Sequence, residues 1–180
     1  MIPGTVLPPS FFDRTADEVA RGLLGNALMR RIGSEERLFI ILETEAYLGP
    51  HDLACHSARG RTLRTEPMYG PPGTIYIYLV YGLHLMLNVV TGPEGYAAAV
   101  LIRSAGAAQS PGRLGRAVSL TLDMNGKPAL PETGLWFEAR ETLPGRIVTG
   151  PRVAVDSAGP RWSRRRLRFS IPARQGPTAL

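Results

Sequence analysis

The sequence predicts a single α+β domain over residues 1–180, in which helices flank a curved, mostly antiparallel β-sheet with a protruding β-hairpin. Three observations lead to this class. Strand-like runs dominate the middle of the chain, helix-like segments lie on either side of them, and 180 residues is a length typical of one domain with a sizeable core. Mixed patterning of this kind favours α+β over an alternating parallel fold.

The N-terminal part of the chain predicts an arm, a helix and a strand. Residues 1–12 are rich in proline and aromatic residues and are expected to form an extended arm. Thr15 and Glu18 match a capping box at the start of a first helix, which we expect over residues 13–32 because apolar residues recur at helical spacing. The run "RLFIILETEAYLG", residues 37–49, is typical of a strand.

The middle of the chain predicts a long loop and then a hairpin. Residues 51–73 are dense in Gly, Pro and Arg, and a connection of that length in a compact domain is usually functional or disordered. The apolar runs "TIYIYLVYG" and "LHLMLNVVTG" meet near Tyr81 and Gly82, which predicts a β-hairpin. The run "YAAAVLIRS", residues 96–104, predicts a further strand.

The remaining elements are a helix, three strands and a tail. Ser110 as N-cap and Pro111 at the first helical position predict a second long helix in "SPGRLGRAVSLTL". Strands are predicted in "GLWFEAR", "RIVTGPRVAVDS" and "RLRFSIP". Residues 173–180 are expected to be a loose tail.

The charge of the chain points to a polyanion. The net charge is +6 and nearly all of the positive charge is arginine, since Lys127 is the only lysine. An unspecialised basic protein fits the charge equally well.

Other features of the sequence bear on location. Cys55 is the only cysteine, which excludes an internal disulfide. No apolar run is long enough to span a bilayer, and the N-terminus lacks the pattern of a secretory signal. We therefore expect a cytoplasmic location and no membrane partner.

Two carboxylates share one side of a predicted strand. Side chains at i, i+2 and i+4 of a strand point the same way, so Glu43, Glu45 and Tyr47 are expected on one face. The pKa of at least one carboxyl group should be shifted by its neighbour or by burial. Each carboxylate could pair with an arginine on the next strand, or one could be a general base that activates water. The pattern slightly favours pairing for Glu43 and leaves Glu45 open.

The histidines do not make a convincing metal site. "HDLACH" places His51, Cys55 and His56 near one another, and His84 is the only other histidine. Zinc needs four ligands, or three and a water, and the zinc-deaminase signature is absent. The sequence also lacks a phosphate loop and a dinucleotide fingerprint. We expect neither a metal nor a cofactor.

Several polar residues have both a structural and a functional interpretation. Arg59, Arg61 and Arg64 suit phosphate contacts, but they also suit a solvated loop. The run "RWSRRRLR" (161–168) likewise fits either a basic patch or a solvated strand edge. A buried Asn88 usually satisfies backbone groups, and Arg103 at a strand end usually reaches water. Alternatively, both line a pocket that holds Glu45.

Long motifs resemble one known family. "LETEAYLGPHDLACHSARGRT", "MYGPPGTIYIYLVYGLHLMLNVVTGPEG" and "AAVLIR", followed by "SPGRLGRAV" and "GPRVAVDSAG…LRF", resemble the alkyladenine (3-methyladenine) DNA glycosylases, in the bacterial-type short form, over roughly residues 10 to 172. The resemblance implies a base-excision repair enzyme that flips a damaged base out of the duplex. It assigns Glu45 as the catalytic acidic residue, which deprotonates the attacking water. Arg103 matches the arginine that helps to hold this water and Glu45, and the backbone carbonyl of Val153 matches a further contact of the water.

The resemblance also implies which residues handle the base. Tyr47, His56 and Tyr78 match the pocket that sandwiches the flipped base. Tyr81 matches the side chain that fills the gap in the minor groove, and Asn88 matches a residue that crowds the exocyclic amino group of guanine. The chain departs from the family pattern at Thr65, usually Asn, at Ser110, often Gly, and at Leu83, commonly Met.

The function implied is release of alkylated or deaminated purines from duplex DNA, with 3-methyladenine, 7-methylguanine, hypoxanthine and ethenoadenine as the substrate class. Strand-cutting glycosylases need an amine nucleophile; with Lys127 far along the chain from Glu45, we predict a monofunctional enzyme that leaves an abasic site. Double-stranded DNA with damaged purines is the expected partner, bound by a monomer in the bacterial nucleoid. The alternatives are a non-catalytic nucleic-acid-binding domain and a carbohydrate hydrolase, whose carboxylates should flank the bond rather than lie side by side.

Overall fold

The fold is built on an eight-stranded β-sheet in which every pairing of strands is antiparallel. The computed structural model describes residues 4–140 and 145–171. Its strands are β1 (Ala27–Ile32), β2 (Glu35–Tyr47), β3 (Ile75–Val80), β4 (His84–Thr91), β5 (Ala98–Ala105), β6 (Leu135–Glu138), β7 (Val148–Gly150) and β8 (Arg168–Ser170). Its α-helices are α1 (Pro9–Phe12), α2 (Ala16–Leu23), α3 (Pro111–Ala117) and α4 (Pro160–Ser163). The predicted α+β class with a mostly antiparallel sheet is confirmed.

The sheet places the end of β2 at its centre. The strand order is β3-β4-β5-β2-β1-β6, and β8 pairs with β2 on one side and with β7 on the other. Glu45 therefore lies opposite Leu101 of β5 and opposite Arg168 of β8. The register between β2 and β5 shifts around Glu43, as at a β-bulge, and bulges commonly redirect side chains beside active sites.

Helices α2 and α3 pack against the sheet. Val19, Ala20 and Leu23 of α2 are fully buried, which is what its apolar spacing predicts. The predicted capping box is present, with the Glu18 carboxylate accepting from both the hydroxyl and the backbone N–H of Thr15. Helix α3 comes so close to β4 that a Cβ on Gly115 would lie 2.3 Å from the Leu85 carbonyl oxygen. No helix within residues 4–140 and 145–171 has the length and apolar character needed to cross a membrane.

Several sequence predictions of local structure are wrong in extent. The first helix ends at Leu23 instead of continuing over 13–32, because Gly25 has a positive φ and the backbone of residues 27–32 pairs with β2 and β6. Leu28 would be buried in a continued helix as well as in the strand, so the spacing of apolar residues could not distinguish helix from strand here. The second helix ends at Ala117, two residues before Ser119 at φ 45°.

The predicted strand through "RIVTGPRVAVDS" stops at Gly150. Pro151 has no N–H to donate to a ladder, Arg152 turns its guanidinium into the interior, and Ala154 has a positive φ. The expected extended arm over 1–12 is interrupted by helix α1, and Leu7 and Phe12 are buried in the core. The tail over 173–180 lies outside the described residues.

The predicted β-hairpin is confirmed as β3 and β4. Tyr81 and Gly82, at φ 51° and 69°, form the tip, and the Leu83 N–H donates to the Val80 carbonyl at 3.1 Å. Positive φ at both central residues is what a type I′ turn requires, and its twist matches that of the strands. Tyr81 is 90% exposed. An aromatic residue held in the left-handed region on an exposed tip is strained, a condition that often marks a functional position.

Candidate active site

One cavity of about 360 Å³ brings together nine of the candidate site residues singled out in the sequence, Arg64 among them. It lies between the C-terminal half of β2, the β3–β4 hairpin, β5, and the loops around residues 55 and 154. Its lining includes Glu45, Tyr47, His56, Tyr78, Tyr81, Asn88, Arg103 and Val153. The volume falls in the range of about 300–1,000 Å³ typical of small-molecule sites.

Glu45 is fully buried at the wall of this cavity. Its Oε2 accepts the Tyr47 hydroxyl at 2.9 Å, and its Oε1 accepts the Val153 backbone N–H at 2.8 Å. The Arg103 guanidinium lies 3.3 Å from Oε1. These three contacts fix the carboxylate at the cavity wall.

Burial and partners act in opposite directions on the Glu45 carboxyl group. Burial raises its pKa above the ordinary value, while Arg103, the Val153 N–H and the Tyr47 hydroxyl each lower it without cancelling the effect of burial. A carboxyl group with a raised pKa and an adjacent cation is a stronger base than an exposed glutamate and can still ionise.

Glu43 has the structural role that its pattern favoured. Its Oε1 accepts from Arg103 Nε at 2.8 Å and from Arg168 Nη1 at 3.2 Å. Arg103 therefore bridges both carboxylates, and Glu43 and Glu45 do share a face. Because two arginines engage Glu43 and it does not line the cavity, Glu45 is the carboxylate placed for chemistry.

Tyr47 both holds Glu45 and forms a wall. Burial and, second, the neighbouring charge of Glu45 raise the pKa of Tyr47 well above its ordinary value. The phenol therefore keeps its proton and donates a hydrogen bond to Glu45. The Arg152 guanidinium lies over the ring at 4.8 Å from the centroid. The ring is thus fixed from behind by a cation and from its hydroxyl end by a carboxylate.

His56 and Tyr78 meet at a corner of the cavity. Their ring centroids are 4.6 Å apart at an interplanar angle of 80°, so a flat ring stacked on one presents its edge to the other. Burial, with Arg64 and Arg59 nearby, lowers the pKa of His56 to about 4, and the imidazole is neutral at pH 7. Its Nδ1 lies 2.8 Å from the Tyr76 hydroxyl. Tyr76, without an assigned role in the sequence, is buried and orients His56.

Asn88 sits on the floor of the cavity. Its Nδ2 donates to the carbonyl oxygens of Tyr76 at 3.1 Å and Met86 at 3.3 Å. This is the backbone-satisfying role expected of a buried asparagine, and the residue also lines the cavity. Tyr81, at the hairpin tip, borders the same cavity as Tyr78.

The arginines of the 57–73 loop differ from one another. Arg61 is engaged by Glu66 at 2.6 Å, whereas Arg59 and Arg64 have no carboxylate partner among the residues that the structure describes. Arg64 lines the cavity and lies 5.5 Å from the Tyr78 ring centroid. Thr65, a departure from the family pattern, is buried and donates to the Gly60 carbonyl at 3.1 Å. It anchors the loop without an asparagine.

The other two departures are also accommodated. Ser110 caps α3, accepting from the Arg113 N–H at 3.4 Å, and Leu83 is exposed beside Tyr81 at the hairpin tip. Within the described ranges, no three His, Cys, Asp or Glu side chains converge as metal ligands. His51 faces the Tyr96 hydroxyl at 3.1 Å and so does not join His56.

Sequence reasoning missed a buried ion pair behind the site. Arg152 donates two hydrogen bonds to Asp52, with Nη2 to Oδ1 at 2.8 Å, and a further one to the Ala46 carbonyl at 2.9 Å. Both side chains are fully buried. The pair joins the loop after Tyr47 to the residue that precedes Val153. Two opposite charges 100 positions apart leave no local pattern that could have revealed it.

One cavity thus combines aromatic walls, a buried carboxylate and an arginine beside it. A family model described as "Methylpurine-DNA glycosylase (MPG)" matches residues 10–110. The chain is 42% identical to a protein of Anaeromyxobacter dehalogenans (92% of this chain, 83% of the relative) and 41% identical to one of Nitrosococcus oceani (93% and 90%). It is 45% identical to one of Myxococcus xanthus (85% and 84%). All three bear the name "Putative 3-methyladenine DNA glycosylase".

The chain belongs to the methylpurine-DNA glycosylase family. It is a DNA N-glycosylase, a hydrolase of N-glycosyl bonds that acts on DNA in the repair of alkylation damage. The family resemblance in the sequence is confirmed, and a non-catalytic binding domain is excluded.

Proposed function

We propose that this enzyme flips 3-methyladenine, 7-methylguanine, hypoxanthine or ethenoadenine out of duplex DNA and hydrolyses the N-glycosidic bond with a water activated by Glu45. The observation that carries the proposal is a fully buried Glu45 at the wall of an aromatic cavity, held by Tyr47, Val153 and Arg103. A water there would donate one proton to Glu45 and direct its lone pair at the sugar carbon.

The base would leave as the water attacks. Tyr47, His56 and Tyr78 supply aromatic faces, and base–aromatic stacking is worth about 1–3 kcal/mol per base. Alkylated purines such as 7-methylguanine carry positive charge, which these faces attract. The ionised Glu45 also stabilises positive charge on the sugar in the transition state, as carboxylates do in glycoside hydrolysis. The Val153 N–H contacts Glu45 itself, and the Val153 carbonyl is the group that we propose contacts the water.

Asn88 would restrict the purines that are cleaved. Its amide is fixed by two backbone carbonyls, so it cannot turn aside for a bulky substituent. A guanine amino group directed at this fixed amide would be crowded by it, which disfavours normal guanine.

The product would be an abasic site in an intact strand. Lys127, the only lysine, lies 3.7 Å from Asp123 and does not line the cavity. Met1 lies outside the described residues. Base release should be measured on duplexes that each carry one of the four lesions, with borohydride present in parallel. We expect release without strand cleavage and without a covalent adduct; a trapped adduct would contradict the monofunctional mechanism, and release from none of the four would refute the substrate class.

A pH profile should report the ionisation of Glu45. The raised pKa means that Glu45 keeps its proton to a higher pH than an exposed glutamate, so base release should be lost as the pH falls through that pKa. Arg103→Gln and Tyr47→Phe each remove a group that lowers this pKa. Both should move the acid limb of single-turnover base release to higher pH, Arg103→Gln by more. Tyr76→Phe, which touches His56 and not Glu45, is the matched control, and an acid limb that stays fixed in both test variants would remove Glu45 as the base.

Tyr81→Asn should separate stability from activity. Asparagine tolerates the left-handed conformation better than tyrosine, so the free energy of unfolding should rise by up to about 1 kcal/mol. The variant loses the ring proposed to fill the gap in the duplex, and a loss of about 1–3 kcal/mol of stacking should slow base release from duplex DNA by roughly 5–150-fold. Chemical denaturation and single-turnover rates test both effects. Release from a single-stranded substrate, which has no gap to fill, should be slowed much less; an equal loss on both would rule out the wedge.

The expected monomer and association with the bacterial nucleoid remain predictions. An enzyme with this substrate works where the DNA lies.

A further inference from the structure

We propose that a second cavity, lined by arginines and adjoining the catalytic loop, binds a phosphodiester of the DNA backbone close to the lesion. This inference rests on the proposed function, since it takes the same duplex as its ligand. The cavity has a volume of about 670 Å³ and is bordered by residues 151–156 and 160–166. Its polar lining consists of Arg152, Asp156, Ser163, Arg164 and Arg166.

The positive charge around this cavity is not neutralised within the described chain. Arg161, Arg164, Arg165 and Arg166 are all exposed, and among residues 4–140 and 145–171 none of them has a carboxylate at ion-pair distance. Asp156 is the only carboxylate on the described lining. The guanidinium group suits phosphate because its planar fork donates two parallel hydrogen bonds. An anion with several acceptor oxygens fits this surface better than a single carboxylate.

Part of the cluster is already held in place. Arg166 donates through Nε to the Thr149 hydroxyl at 3.1 Å, and through Nη2 to the Thr149 carbonyl. Arg165 and Arg161 lie over the Trp162 ring, 5.0 and 6.0 Å from its centroid. Because these side chains are fixed before binding, less rotamer freedom is lost when a ligand arrives.

Arg152 borders this cavity from the interior. Its Nη1 and Nη2 atoms are bound to Asp52 and Ala46, and the side chain is fully buried. Because the charge of Arg152 is paired with Asp52, the unpaired positive charge on the described lining comes from Arg164 and Arg166.

The cavity adjoins the catalytic site. Val153, Ala154 and Val155 line the catalytic cavity, whereas their neighbours Pro151, Arg152 and Asp156 line the arginine cavity. A nucleotide in the catalytic cavity would therefore bring a nearby phosphate of its own strand to the arginines.

The test is the salt dependence of DNA binding. The slope of log affinity against log salt concentration is negative. We expect Arg164→Gln/Arg166→Gln to reduce its magnitude by about 0.9 for each phosphate that is no longer neutralised. The probe is a duplex carrying a stable abasic-site analogue, titrated by fluorescence anisotropy at several KCl concentrations. Arg31→Gln/Arg37→Gln removes the same number of charges from the β1–β2 turn, where both arginines face exposed glutamates, and should keep the wild-type slope and base release. Arg164→Gln alone, which leaves the Thr149 bonds intact, should give the decrease expected for one phosphate if the double variant does not fold.

The outcomes separate this inference from the proposed function. Equal slopes for the cavity and control variants would overturn the phosphodiester site even if the wild type releases bases normally. Saturable binding of inorganic phosphate at constant ionic strength, with the DNA slope unchanged by the cavity variants, would assign the cavity to a free anion and also overturn it. A wild type that binds the duplex but releases no base would refute the proposed function and leave the slope comparison interpretable.

Discussion

Glu45→Gln is expected to slow single-turnover base release by about 10²–10⁴-fold, the range for loss of a general base. Glutamine is nearly isosteric with glutamate. Its one oxygen can accept from the Val153 N–H while its NH2 group donates to the Tyr47 hydroxyl oxygen, so the pocket should keep its shape. It cannot take a proton from water or place a negative charge beside the sugar. The loss should be larger for hypoxanthine and ethenoadenine than for 7-methylguanine, because a cationic base leaves more readily without help.

Glu43→Gln is the matched control for this variant. Glu43 differs from Glu45 by two positions on one strand and shares Arg103 with it, but it does not line the cavity. We expect a smaller loss of rate, which reflects a less firmly held Arg103. Affinity for an abasic-analogue duplex should survive in both variants. Equal losses in the two variants would mean that the carboxylate pair acts through its total charge, and the assignment of Glu45 as the base would be wrong.

Asp52→Asn is expected to cost about 3–5 kcal/mol in the free energy of unfolding, the usual penalty for leaving one charge of a buried pair uncompensated. Arg152 would stay fully buried without its carboxylate. The double variant Asp52→Asn/Arg152→Met removes both charges and should recover a large part of the loss, because an apolar side chain of similar length suits the site. Urea denaturation measures all three proteins. A double variant no more stable than Asp52→Asn would show that the ion pair is not the source of the effect.

The same comparison has a pH dependence with a definite sign. Burial by itself raises the pKa of Asp52, but the hydrogen bonds from Arg152 and from the Leu48 and Ala54 N–H groups outweigh it, and the pKa lies below its ordinary value. The carboxylate therefore stabilises the fold fully above its unfolded pKa of about 3.9. That stabilisation is lost as the pH falls through the lower, folded pKa. The difference in unfolding free energy between wild type and Asp52→Asn should accordingly be constant near neutral pH and shrink in acid.

The local sequence pattern predicts some helices and strands correctly and others wrongly. Thr15 and Glu18 predicted the start of α2 because a capping box is made within four residues. The alternation of Tyr76 and Tyr78 with apolar residues predicted β3, and Gly82 predicted its turn. The end of α2 was wrong because Leu28 suits a helix face and a buried strand equally, and only pairing with β2 and β6 decides between them. Long-range pairing has no signature in the spacing of one segment.

The sequence by itself determined the α+β class, the hairpin with Tyr81 at its tip, the shared face of Glu43 and Glu45, and, through long motifs, the family. Only the tertiary structure decided that Arg103 bridges both carboxylates, that Glu45 alone faces the cavity, and that Tyr76 holds His56. It also decided the Asp52–Arg152 pair and the position of Val153 against Glu45. The physical reason is range: caps, turns and alternation are contacts within a few residues, whereas burial, ion pairing and the resulting shift in the pKa of Glu45 come from groups brought together by the sheet.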